Sequence, residues 1–184
     1  MSSEISNRVI SAETNRTHMA FLNQVEKEMN GVFKKFDELM LQYTYQNNSL
    51  LQFTQEELSS RNVRTMLDLY GVLNNLRSGL EHVAEIDFYN TAQKKIFTSK
   101  SLLLDTDEFG DARAIDLVSK MHSYGAWLDT RTDVNKRIPL PVITYIRPVN
   151  NTSFSENRAA FILYLHAVSL SGKLKLAEDE QTSY

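Results

Sequence analysis

The chain contains no cysteine. Disulfides, thiolate metal sites and cysteine nucleophiles are thereby excluded together. Proline is nearly as scarce: the first of three stands at Pro139, so no ring blocks a long helix upstream. No run of about 18 apolar residues occurs, and nothing reads as a membrane span. Neither sign of charge dominates. The net charge is −3, which offers no global basic field to nucleic acid or an anionic membrane. The start, Met1-Ser2-Ser3-Glu4-Ile5-Ser6, lacks the basic and apolar regions of a signal peptide. The chain is thus expected to be either cytosolic or a soluble piece of a membrane protein.

Catalytic motifs are missing too. No Gly-x-Ser-x-Gly elbow and no glycine-rich phosphate loop can be found. His18, His82, His122 and His166 show no metal-ligand spacing. The stretch from Asp105 to Gly110 is read as a loop, and it lacks the glutamate a calcium loop needs at its twelfth position. With no nucleophile–base pair or metal set to name, we expect no enzyme, no cofactor and no metal.

What is present is the composition of a globular protein: 184 residues, 42% apolar and 23% charged, long enough to bury a real core. The pattern of apolar residues changes near residue 80. From Met19, the residues Leu22, Val25, Met29, Val32, Phe36 and Met40 recur at three- and four-residue steps, as on an amphipathic helix with one buried face. The spacing predicts a helix from roughly Ser6 to Tyr45, on the order of 60 Å long and longer than a small domain can cover. Gly31 is its weak point. The polar run Tyr45 to Ser49 predicts a break. Thr54-Gln55-Glu56-Glu57 matches a capping box opening a second helix, which continues through Val63, Met66, Leu69, Tyr70, Leu73 and Leu76 and stops near Ser78-Gly79. The stripe from Leu22 to Met40 is expected to face a twin in a dimer or the second helix of its own chain.

Beyond residue 80 the period becomes that of strands. His82 to Tyr89 alternates, Asn90 to Gln93 turns, and Lys94 to Ser99 returns as a hairpin. Asp111 can cap a short helix carrying Ala114, Leu117, Val118 and Met121 inward. Tyr124 to Arg131 reads as a third strand. After a charged turn, Asp133 to Arg137, two apolar strands around Val142–Pro148 and Ala159–Val168 complete five, joined by the loop Asn150 to Ser153. Hairpins flanking a helical crossover imply an antiparallel α+β sheet. Long helix first and sheet second suits a sensor, a stalk joined to a ligand-holding body.

The chain resembles the Cache family of extracytoplasmic sensor domains. The resemblance lies in Val83-Ala84-Glu85-Ile86-Asp87-Phe88-Tyr89, Lys95-Ile96-Phe97-Thr98-Ser99, Trp127, Val142-Ile143-Thr144-Tyr145-Ile146-Arg147-Pro148 and the closing strand Phe161 to Val168. It looks most like the first lobe of the sensors in Gram-positive histidine kinases and membrane-anchored AraC-type regulators. The resemblance implies a PAS-like five-stranded antiparallel sheet with the long helix and the second helix packed on it. It also implies an ectodomain on the extracytoplasmic side, anchored by membrane segments outside this stretch. Residues 1–80 would then form the stalk and packing helices, 81–170 the sensor lobe and 171–184 a tail toward a membrane helix or second lobe. The amino-acid-binding branch often carries a compact arginine–aromatic cluster, whereas this chain has a looser Tyr124, Trp127, Arg131 grouping.

A small polar or anionic ligand needs aromatic walls and a few fixed charges. Strict alternation puts Trp127, Asp129 and Arg131 on one face, Tyr145 and Arg147 on one, Tyr164 and His166 on one, and Asp87 and Tyr89 on one. If these faces coincide, Asp87, Tyr89, Trp127, Asp129, Arg131, Tyr145, Arg147 and Tyr164 form the ligand site. The arginines would hold a carboxylate or phosphate, and the aspartates an ammonium. The plainer alternative pairs Arg131 and Arg147 with Asp129 or Glu85 across the sheet. The expected function is ligand sensing for signal transduction, with a homodimer through the first helix. The alternative is a ligandless relay or protein-interaction module.

Overall fold

The computed structural model describes residues 2–47, 49–121, 125–132, 134, 138–149 and 159–170, and no side chains before residue 16 or from 44 to 51. Tyr124, His122, the loop 150–153, most of the turn 133–137 and the tail from 171 lie outside these residues.

The helical half comprises α1 (Ser2–Asn47), α2 (Ser49–Gln55) and α3 (Val63–Ser78). Its apolar positions do what their spacing dictates. Met29, Phe33, Phe36 and Met40 on α1 are buried together with Phe53 of α2 and Leu69, Leu73 and Leu76 of α3. Their partner is the sheet, through Ile86, Phe88, Phe161, Leu163 and Leu165. The stripe therefore packs on the chain's own sheet beside α2 and α3, as the family resemblance implied and the helical spacing alone did not. Before Val25 the helix is exposed from residue 16 onward, and Met19 and Leu22 present apolar surface to solvent.

The capping box expected at Thr54–Glu57 does not form. Thr54 is buried inside α2, and Asn62 stands at the start of α3 without a side-chain cap bond. Glu56 instead accepts hydrogen bonds from Gln52 and Thr65, which ties α2 to α3. The connection is finished from far away in sequence. Gln93 donates to the Glu56 carbonyl at 2.7 Å and accepts from the Leu58 amide at 2.8 Å. A tertiary partner thus satisfies the backbone groups that a local cap would have taken.

Among the described residues the sheet has six strands, one more than the periodicity predicted: β1 (Val83–Asn90), β2 (Lys95–Thr98), β3 (Leu103–Asp105), β4 (Ala126–Arg131), β5 (Val142–Val149) and β6 (Ala159–His166). Their order is β3-β2-β1-β6-β5-β4, with every pair antiparallel. The extra strand, β3, is only three residues long, too short to show a period. Between β3 and β4 lie α4 (Thr106–Phe109) and α5 (Ala112–Lys120), so part of the expected loop 105–110 is helical. The Asp105 amide is capped by Glu108 at 3.3 Å. As expected, Asp111 caps α5, accepting from the Ala114 amide at 3.1 Å.

The sheet divides the described residues into two layers. Helices α1–α3 cover one face over the apolar core. The other face, carrying Ile96, Val142, Ile146 and Ile162, packs against Phe109, Ala114 and Val118 of α4 and α5.

Candidate functional site

The sheet register decides which predicted site residues meet. Glu85 pairs with Tyr164, Asp87 with Ile162 and Thr98, and Thr144 with both Tyr164 and Leu128. Cross-strand partners share a face, so Asp87, Tyr89, Thr144 and Tyr164 all point toward α5. Tyr145 and Arg147 point the other way, toward α1.

Strict alternation fails at β4. Leu128 is paired with Thr144 but Arg131 with Val142, three residues against two. This bulge resets the alternation and turns Arg131 to the α5 side, while Trp127 stays opposite Tyr145 on the α1 side. The expectation that Trp127, Asp129 and Arg131 share a face is corrected accordingly. The predicted residues fall into two groups: Asp87, Tyr89, Arg131 and Tyr164 on the α5 face, and Trp127, Asp129, Tyr145 and Arg147 on the α1 face.

The α5 face is organised around one carboxylate. Asp111, only 3% exposed, receives the guanidinium of Arg131 in a two-pronged pair, Nη1 to Oδ1 at 2.7 Å and Nη2 to Oδ2 at 2.9 Å. Tyr164 Oη donates to the same Oδ2 at 2.9 Å. Arg131 Nη2 also donates to Thr144 Oγ1 at 2.6 Å. The Arg131 side chain is 10% exposed, and its Nε has no hydrogen-bond partner among the described residues. Two more carboxylates, Glu85 and Asp87, are fully buried on this face; Lys100 reaches Glu85 at 3.1 Å. Burial first, then the charges of Asp111 and Asp87, hold the Tyr164 hydroxyl well above the ordinary phenol range. Burial pushes Tyr89 up as well. The cluster is a fixed cradle for a carboxylate, filled by one from the chain itself.

On the α1 face the same residue types serve packing. Tyr145 stacks on Phe33 at 4.2 Å and meets Phe36 edge-on. Its hydroxyl lies 3.4 Å from both oxygens of Asp37, and Arg147 Nε stands 3.2 Å from Asp37 Oδ1. Burial, reinforced by the Asp37 charge, pushes the Tyr145 hydroxyl up to about 12. Asp37 is raised by its own burial, with Arg147 and Tyr145 pulling it back. Gly125 makes room for the ring: a Cβ there would sit 1.9 Å from Tyr145 Oη. The ion-pair partner of Arg131 is thus Asp111, and Asp37 is one of Arg147.

Asp111 and Thr144 were not among the predicted site residues. Asp111 was legible as a helix cap, but its partners lie 20 and 53 residues away. Among the described residues, no group of three or more His, Asp or Glu side chains could hold a metal ion, and no helix is long and apolar enough to cross a membrane.

The fold has known counterparts. An extracellular ligand-binding receptor from Desulfohalobium retbaense matches with a TM-score of 0.52 at 12% identity, over 83% of this chain and 25% of that one. The extracellular domain of the histidine kinase vpHK1S-Z8 matches with 0.51 at 13%, over 88% and 63%. A domain of a sensory box/GGDEF family protein from Vibrio parahaemolyticus matches with 0.51 at 11%, over 83% and 60%. The α+β fold, a long amino-terminal helix on an antiparallel sheet, is shared with these domains. This chain spans less than two thirds of the length of each of these structures. No family model and no curated protein sequence matches it.

Proposed function

We propose that this chain is the ligand-sensing lobe of a bacterial transmembrane signalling receptor. It would stand on the extracytoplasmic side and pass ligand binding to the membrane through α1. Residues 81–170 would be the lobe and 1–80 its stalk and packing helices. The sensory-domain fold supports this reading. So does the way α1 runs on beyond the sheet, with its exposed segment from residue 16 to 24 clear of the core. A homodimer, if α1 builds one, would use that exposed part with Met19 and Leu22, since Met29 to Met40 are already spent on the sheet.

The observation that carries the site is the buried fork of Arg131. A guanidinium nine-tenths buried, gripping one carboxylate with both Nη atoms, suits an anionic or zwitterionic ligand. Asp87, Tyr89 and Tyr164 would line the site, and a ligand carboxylate would compete with Asp111 for Arg131. The same pairing favours a second reading, a ligandless relay lobe whose cradle is permanently filled from within.

A thermal-shift screen against amino acids, organic acids, sugars and nucleobases separates the two. A ligand present at a hundred times its dissociation constant stabilises by about 2.7 kcal/mol, or several degrees. Sensing predicts such a shift with one chemical class, lost in Arg131→Lys, which keeps the charge but not the fork. A flat screen in both the wild type and Asp111→Asn, where the fork is released, would establish the relay reading.

A further inference from the structure

The α1 face holds a cleft that plays no part in the cradle around Arg131. It opens between α1 and the edge strand β4, with a volume of about 620 Å³, within the range of small-molecule sites. Its walls are apolar: Leu22 and Met29 from the helix, Ile143 from the sheet, and Phe33, whose ring is fixed by stacking on Tyr145. Trp127 forms one side and is 54% exposed, an unusual exposure for the chain's single tryptophan. The charged side chains lining the cleft are Glu26 and Asp129, both acidic and both exposed.

From this combination we infer that the cleft is a second ligand site, for a small organic cation with an apolar body: an alkylamine or quaternary ammonium. The reasoning runs from charge and shape. An apolar wall takes the hydrocarbon part. The indole face is the best aromatic partner for a cation, and two carboxylates at the rim attract a cation while repelling an anion. An anionic ligand, suited to Arg131, has no cation to meet among these lining residues. The sheet separates the two sites, so they take opposite charges on opposite faces. Because one wall is α1 and the other is the sheet, an occupant would bridge the helix to β4. Such a ligand favours whichever arrangement of helix and sheet closes the cleft better, as any differential binding must.

The single tryptophan makes the test direct. Its emission is followed while the intact chain is titrated with choline and with butyltrimethylammonium, and in parallel with dimethylbutanol, the neutral shape analogue of choline. The inference predicts saturable changes with both cations, tighter for the longer chain, and none with the alcohol at the same concentration. Glu26→Gln and Asp129→Asn should each weaken the cation by up to roughly fivefold, since each removes about 1 kcal/mol of Coulombic attraction. Both positions are exposed, so their thermal midpoints should match the wild type, which guards against misfolding as the cause. Three results would overturn the inference: a non-saturating response, an equal response to the alcohol, or charge-neutralised variants that titrate like the wild type. Failure here leaves the Arg131 cradle untouched, because the indole reports only on the α1 face.

Discussion

The two faces of the sheet carry almost the same residue types and use them in opposite ways. On the α1 face Tyr145 and Arg147 meet Asp37, but the tyrosine ring is one layer of an aromatic stack and the ion pair is partly exposed, its side chains 25% and 35% accessible. On the α5 face Tyr164 and Arg131 meet Asp111, and there the polar contacts are themselves the interior. An arginine, a tyrosine and an aspartate in proximity therefore do not define a site. What differs is whether apolar packing or the charge itself fixes the geometry. A buried charge is stable only while its partner remains, so the α5 face is sensitive to anything that competes for Arg131. The α1 face is insensitive, as a core should be.

Substitutions can break this comparison. The largest effect is expected at Phe36, fully buried and in edge contact with both Tyr145 and Phe161. Phe36→Ala should cost about 4 kcal/mol in urea unfolding, the range for deleting a buried ring. On the other face Arg131→Ala strands the Asp111 carboxylate and should cost about 3 kcal/mol. Arg147→Ala, which breaks a partly exposed pair, should cost less, about 1 kcal/mol. Equal losses for the two arginines would erase the distinction between the faces.

Alkaline pH gives an intermediate effect. The Tyr145 hydroxyl is raised from 10 to about 12, so the neutral form is the one the fold favours. Its contribution is complete below the unfolded value and lost as pH rises through the folded one. Stability should fall by roughly 2–3 kcal/mol between pH 10 and 12 on this account alone. Tyr145→Phe should make the decline shallower but not flat, because Tyr164 is also raised. The smallest effect is a gain. Nothing lies within 4 Å of a Cβ placed on Gly31, so Gly31→Ala should stabilise α1 by about 1 kcal/mol, read as a higher urea midpoint.

The sequence made some of this legible and hid the rest for physical reasons. The long helix, its buried stripe, the β1–β2 hairpin and the Asp111 cap all follow from local spacing, which one strand or helix displays by itself. The spacing of Met29, Phe33, Phe36 and Met40 said only that something covers the stripe; that the sheet does so came from the family resemblance. Strict alternation misplaced Arg131, since the bulge in β4 leaves no mark in a six-residue strand. The link at Glu56–Leu58 was misread as a capping box because its true partner, Gln93, sits in a distant turn. The candidate residues were chosen as a set, but only knowledge of the register could sort them onto two faces.

The central claim is that Arg131, and not Arg147, is the ligand-reading arginine. Side-chain ¹⁵N NMR of the arginine Nε–H groups, with succinate, glycine and acetate added in turn, tests it directly. The account predicts that the Arg131 resonance, whose Nε has no internal partner among the described residues, moves with at least one of these carboxylates. Arg147, held on Asp37, should stay in place. A moving Arg147 beside a fixed Arg131, or two fixed resonances throughout, would contradict it.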